Sequence, residues 1–133
     1  MSVNVPKLCP CGSKIKYLQC CGQYLEQSIG APTAQALMRS RYSAYVLCDE
    51  AYLLRTWHGS TRPEQLGLEK DAVNWLKLEV LATNYGSPLD EHGTVEFIAC
   101  YQVQDKKQKI HEVSRFLKQD SQWFYVDGVL YAQ

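Results

Sequence analysis

Residues 94–131, TVEFIACYQVQDKKQKIHEVSRFLKQDSQWFYVDGVLY, decide the fold. Thr94–Val103, Ile110–Lys118 and Trp123–Tyr131 are rich in β-branched and aromatic side chains alternating with polar ones, the period of a strand with one buried face. The segments between them, DKKQ at 105–108 and QDSQ at 119–122, are short and polar, as hairpin turns are. Connections of that length leave no room for a crossover, so the strands run antiparallel in a meander. Toward the N-terminus, the loop GSPLDEHG at 86–93 is preceded by another period-two run. There Leu76, Leu78, Val80 and Ala82 share one face, and Lys77, Glu79, Leu81 and Thr83 share the other.

Further upstream the period lengthens to that of a helix. Thr33 is a good N-cap for residues 34–47, which lack Gly and Pro and place Leu37, Met38, Tyr42, Tyr45 and Val46 in an apolar stripe. Asp49 caps a second helix through EAYLLRTW that ends near His58 and Gly59, and Pro63 opens a short helical turn through Leu66. Helices first and a meander after them predict an α+β fold, with the helices packed on one face of a curved antiparallel sheet. Its core is expected to hold Trp57, Trp75, Phe97, Phe116 and Val126, with Leu37, Met38 and Val80 nearby.

Four of the six cysteines, Cys9, Cys11, Cys20 and Cys21, fall in the run CPCGSKIKYLQCCG at 9–22. Two close pairs on a short returning loop suit a tetrahedral Zn²⁺ with sulfur ligands at ~2.3 Å. Adjacent cysteines bridge one another only through a strained ring, and a segment with few hydrophobes buries free thiols poorly. The Cys-x-x-Cys spacing of a redox centre is absent. Gly12 and Gly22, each following a pair, are expected to supply backbone freedom. Lys7, Lys14 and Lys16, with no acid in the first 25 residues, offset the double negative charge of a four-thiolate zinc site. The turn-prone Gly30-Ala31-Pro32 marks a boundary between a metal segment, 1–28, and an α+β domain, 29–133.

Fourteen basic residues balance fourteen acidic ones, so there is no overall basic surface to collect nucleic acid. MSVNVPKLCPCG contains no apolar core of a secretory signal, and no later run reaches membrane-spanning length. The expected compartment is the cytoplasm, with no membrane association. Clustered cysteines in a reducing compartment point to metal and away from disulfides.

The cysteine segment resembles the SEC-C motif, the zinc-binding tail of the SecA preprotein translocase, which has a Cys-x-Cys-Gly-Ser start and a later Cys followed by Cys or His. The resemblance implies Cys9, Cys11, Cys20 and Cys21 as the zinc ligands; Lys14 and Ile15 stand where Gly-Lys is usual. The remainder resembles the YchJ-like family, an uncharacterised bacterial group. That likeness rests on APT at 31–33, LMRSRYSAYV at 37–46, TWH at 56–58, TRP at 61–63, LEVLAT at 78–83, GTVEF at 93–97, HEVSRF at 111–116 and WFYVDG at 123–128. It implies a cone-shaped domain of the nuclear-transport-factor (cystatin-like) type behind the zinc motif, and no assigned activity.

In such cones a cavity lies between the helices and the concave sheet face. The polar residues that could line it are Arg41, His58, Glu96, His111, Glu112 and Arg115, of which His58, Arg115 and Glu96 are the candidates for catalysis. Each also has a structural reading. Arg41 can snorkel to solvent, His58 can satisfy carbonyls at a helix end, and Glu96 can reach Arg115 across paired strands. Arg39 is expected outside, and Cys48 and Cys100 are expected as buried packing thiols. No Ser-His-Asp order or glycine-rich phosphate loop is present. Two functions remain open: an adaptor whose zinc segment docks on a protein or ribonucleoprotein partner, and an enzyme or binding protein for a small molecule held in the cone.

Overall fold

The computed structural model describes residues 6–68 and 73–131; the outermost ends of both expected segments, 1–5 and 132–133, lie outside the described residues. A 3₁₀ turn at Tyr17–Gln19 leads into α1 (Gly22–Leu25), followed by α2 (Ala34–Val46) and α3 (Glu50–Arg55). Four strands follow, β1 (Asn74–Tyr85), β2 (His92–Val103), β3 (Lys106–Gln119) and β4 (Gln122–Leu130), in one antiparallel sheet of order β1-β2-β3-β4. The architecture is α+β, with α2 lying across the sheet.

Both helix starts follow the sequence. Thr33 Oγ1 accepts the Ala36 N–H at 3.0 Å, and Asp49 Oδ1 accepts the Tyr52 N–H at 3.0 Å, each satisfying a first-turn donor that has no partner inside its helix. Pro63 to Leu66 form no helical turn. Instead Glu50 reaches across, its carboxylate accepting the N–H groups of Leu66 at 3.0 Å and Leu68 at 3.3 Å.

The hairpins are tighter than expected. Val103 pairs with Lys106, so Gln104-Asp105 is a two-residue turn and Lys106, Lys107 and Gln108 belong to β3. At the next hairpin Asp120 and Ser121 both adopt positive φ, 54° and 67°, the geometry that matches the twist of the flanking strands. The alternation in β1 also departs from the sequence reading. A bulge between Trp75 and Lys77 shifts the register by one residue, so Trp75, Leu78 and Val80 are half-buried while Leu76 lies 43% exposed. An extra residue in a strand reverses the faces that follow it, and residue types alone do not reveal where it sits.

The β2–β3 register fixes what faces the helices. Val95 pairs with Ser114, Phe97 with Glu112 and Ala99 with Ile110, and the side chains of these pairs occupy the inner face. Phe97, Phe116, Leu37 and Met38 are buried in the core as expected, whereas Trp57, Trp75 and Val80 are only half-buried, the last two packed against the cluster. Val126 is buried at a β4 bulge beside Arg115 and Phe116, outside the main cluster. Trp123, absent from the expected core, is buried, and its indole N–H donates to the Pro32 carbonyl at 3.2 Å, tying β4 to the entry of α2.

Phe116 is 1% exposed, so Phe116→Ala should cost ~3–5 kcal/mol, read as a lower urea midpoint. Its neighbour Leu117, 40% exposed on the outer face, should tolerate alanine within ~0.5 kcal/mol. Equal losses would contradict this assignment of faces.

Candidate metal centre and cavity

The metal loop begins as a small hairpin. Leu8 pairs with Lys16, the Cys9 N–H donates to the Ile15 carbonyl at 2.9 Å, and the Tyr17 N–H donates to the Lys7 carbonyl at 3.1 Å. This return brings Cys9 and Cys11 to the pair Cys20-Cys21, which sits where the 3₁₀ turn passes into α1. The four Sγ atoms all lie within 4.8 Å of one another, and Cys11 and Cys20 are 3.7 Å apart. A tetrahedron with metal–sulfur bonds of ~2.3 Å has edges of about 3.8 Å, so the donor set fits one tetrahedral ion of that size.

The electrostatics agree with the geometry. Contacts from the Cys21 and Cys9 sulfurs hold the Cys11 thiol far below its ordinary value, while the shared contact with Cys11 pushes Cys21 far up and burial pushes Cys20 up. Ser13 Oγ accepts the Ile15 N–H at 3.2 Å, which leaves its hydroxyl hydrogen for the Cys20 sulfur at 3.1 Å.

Two glycines make the loop possible, for different reasons. Gly12 has φ +87°, the freedom expected of it. Gly22 is helical, and what it supplies is space: a Cβ there would meet the Tyr17 carbonyl oxygen at 2.7 Å. Tyr17 is completely buried, and its hydroxyl donates to Glu26 at 2.9 Å.

The loop packs directly on α2. Cys9, Cys11, Tyr17, Cys21 and Leu25 belong to the same buried cluster as Leu37, Tyr42 and Phe97. Cys9 Sγ lies 3.6 Å from Ser43 Oγ, and Arg39, expected in solvent, donates from Nη1 to the Cys11 carbonyl at 3.1 Å. The contact was not legible in the sequence because it pairs residues 28 positions apart across a turn.

On the other side of α2 a cavity of about 230 Å³ opens toward the sheet. Of the six expected lining residues, it receives Arg41 and Glu112. Arg41 is 6% exposed; its Nη1 donates to the Leu53 carbonyl and to Thr56 Oγ1, both at 2.7 Å, which ties α2 to the end of α3. Its guanidinium carbon lies 4.6 Å from the Tyr125 ring centroid and 5.1 Å from that of Trp57. Burial lowers the Arg41 pKa from its usual value and raises that of Tyr125. Glu112 Oε2 accepts the hydroxyls of Ser114 at 2.6 Å and Tyr125 at 3.4 Å. The Glu112 side chain lies over Gly128, where any Cβ would collide with its carboxylate.

Glu96, His111 and Arg115 lie on the opposite face of the sheet. Glu96 pairs with Val113 in register and bonds His111 Nε2 at 2.7 Å, while Arg115 forms a two-point contact with Asp127 at 2.6 and 2.7 Å. The expected Glu96–Arg115 contact is not made: Val113 stands opposite Glu96 with His111 and Arg115 diagonal to it on either side, and Glu96 takes His111 while Arg115 takes Asp127 on β4. His58 also lies outside the cavity. Its ring bonds Ser60 and Gln119, both at 2.7 Å, rather than helix-end carbonyls, and the His58 backbone N–H donates to the Tyr125 carbonyl at 2.7 Å. Cys48 and Cys100 are half-buried rather than buried. The cavity residues that the sequence reading missed as such, Tyr45, Trp57, Ser114 and Tyr125 among them, carry no signal beyond their place on an inner face.

Residues 33–128 match the family model described as the middle NTF2-like domain of YchJ. The chain belongs to the YchJ-like family. A UPF0225 protein of Chromobacterium violaceum is 54% identical over 125 residues, covering 92% of each chain. Another from Streptomyces coelicolor is 48% identical over 120 residues, covering 90% of this chain and 93% of its own. Among solved structures, a SEC-C motif containing protein from Rhodopseudomonas palustris superposes with a TM-score of 0.80 at 33% identity, covering 94% of this chain and 99% of its own. A SEC-C motif containing protein from Psychrobacter arcticus gives a TM-score of 0.74 at 27% identity, covering 97% and 85%. Among the described residues no helix is long and apolar enough to cross a membrane.

Gly22→Ala should force Tyr17 off the loop and loosen the cysteine pair, costing ~1–3 kcal/mol and raising thiol labelling of Cys21 in the metal-free protein. Unchanged labelling and stability would show that the close approach to Tyr17 is dispensable.

Proposed function

We propose that the protein is a zinc-stapled adaptor: one structural Zn²⁺ is held by Cys9, Cys11, Cys20 and Cys21, and the loop so fixed docks on a protein partner. A four-thiolate set is closed, with no ligand position left for water, and such sites contribute folding energy where a segment has little core of its own. The observation that carries the docking reading is the outer surface of this loop. Leu8, Ile15 and Leu18 are 54%, 48% and 49% exposed, and the exposed Lys7, Lys14 and Lys16 stand among them. Apolar side chains held in water between cations suit an acidic segment bearing apolar side chains. The whole chain being neutral, this basic cluster is local.

Metal analysis of the purified protein should give one zinc per chain, and Cys20→Ser should lower it well below one. Equal zinc content in both would overturn the assignment. Replacing Lys7, Lys14 and Lys16 with glutamine should leave zinc content unchanged and weaken capture of partner by at least about tenfold at low salt, with the difference shrinking as salt rises. Capture that is insensitive to these charges, or to Leu8→Ser with Leu18→Ser, would refute docking through the loop.

A further inference from the structure

We propose that the cavity beneath α2 is a binding site for a small aromatic monocarboxylate that also carries a hydrogen-bond donor, its carboxylate on Arg41 and its donor on Glu112. The inference is independent of the docking surface, which lies on the other side of α2. Arg41 carries the argument. It is more than nine-tenths buried, and among the described residues no carboxylate lies within 4.0 Å of it; the ion pairs found there are His111–Glu96 and Arg115–Asp127. Nη1 spends its hydrogens on Leu53 and Thr56, while Nε and Nη2 have no hydrogen-bond partner among the described residues. Since no fully buried polar side-chain atom there lacks a partner, these two nitrogens are the part of Arg41 that remains accessible. A buried cation with an unengaged edge is costly alone and is offset by an anion that takes that edge in a two-point contact.

Glu112 sets the second requirement. Both of its bonds use Oε2, so Oε1 remains to accept from a ligand. A carboxylate entering for Arg41 is repelled by Glu112 unless the same molecule also offers a donor, which turns Glu112 from an obstacle into an orienting contact. The remaining walls are apolar and mostly aromatic, with Trp57, Trp75, Phe97, Phe116 and Tyr125 among them, and they favour a flat ring. Size narrows the class further. At about 230 Å³ the cavity falls below the usual range for drug-sized ligands and admits roughly ten non-hydrogen atoms at organic-crystal density, too few for a nucleotide or coenzyme.

The test uses the full-length zinc-loaded protein, titrated with 3-hydroxybenzoate, benzoate and 3-hydroxybenzyl alcohol and followed by tryptophan fluorescence and amide chemical shifts. 3-Hydroxybenzoate should saturate at millimolar concentration or below and bind at least about tenfold more tightly than either comparison compound. Glu112→Leu should erase its advantage over benzoate, and Arg41→Gln its advantage over the alcohol. Because Arg41 also tethers α3, Ala99→Leu provides a variant that leaves both charged groups in place. Ala99 is a buried lining residue, and the larger side chain should fill the cavity and abolish binding in a folded protein. Failure of 3-hydroxybenzoate to saturate, equal affinity for the acid and the alcohol, or binding that survives Ala99→Leu would each overturn the proposal.

Discussion

The packing of α2 on three sides is the constraint from which the other features follow. Between Leu37 and Ser43 successive residues serve different neighbours. Arg39 and Ser43, one turn apart, reach the metal loop; Ser40 meets Tyr52 of α3 at 2.6 Å; Arg41 reaches the end of α3; and Met38 and Tyr42 line the cavity over the sheet. A helix enclosed this way has no broad solvated face, which is why serines and an arginine are buried within it. The small residues Ser40, Ser43 and Ala44 permit the close approach; the Ser43 hydroxyl meets Cys9 and that of Ser40 is absorbed locally. Ser40 donates to the Leu37 carbonyl at 2.7 Å, so the Tyr52 hydroxyl donates to Ser40.

That enclosure links the metal loop to the cavity. Cys9 and Ser43 meet on one side of the helix while Tyr42 lines the cavity on another. A loop short of apolar side chains is held by three things acting together: Tyr17 inserted into the common core, Arg39 on the Cys11 carbonyl, and the convergence of four sulfurs. The last is repulsive without a cation and cohesive with one. The loop's outer surface is thereby left free to display apolar and basic side chains in a fixed arrangement.

The sheet separates its polar residues into two sets with different consequences. On the outer face, Glu96 with His111 and Arg115 with Asp127 form partly solvated pairs of the kind that contribute little to stability. On the inner face, Arg41 and Glu112 are enclosed by aromatic rings, where a charge is worth much more to anything that can pair with it. The segment after α3 completes this wall by joining the free edge of β4: the Tyr125 N–H donates to the Thr56 carbonyl at 2.8 Å, and the Trp57 and Tyr125 rings meet edge to face at 5.0 Å.

Sequence alone determined the order of helices and strands and the convergence of the four cysteines, because both depend on spacing along the chain. Period-two runs with short polar connections dictate an antiparallel meander, Thr33 and Asp49 announce the helix starts, and two cysteine pairs on a returning loop bring their own donors together. Which polar residues share a cavity was decided by tertiary structure. Glu96, His111 and Glu112 look alike as members of alternating strands, and a turn of two residues in place of four sets which of them meet across the sheet. A bulge in β1 changes which side chains face inward for the same reason, since each one-residue offset reverses the two faces of a strand. The burial of Arg41 and the anchoring of the metal loop by Arg39 likewise arise only when α2 is enclosed, because the groups they meet lie far away along the chain and become neighbours through folding.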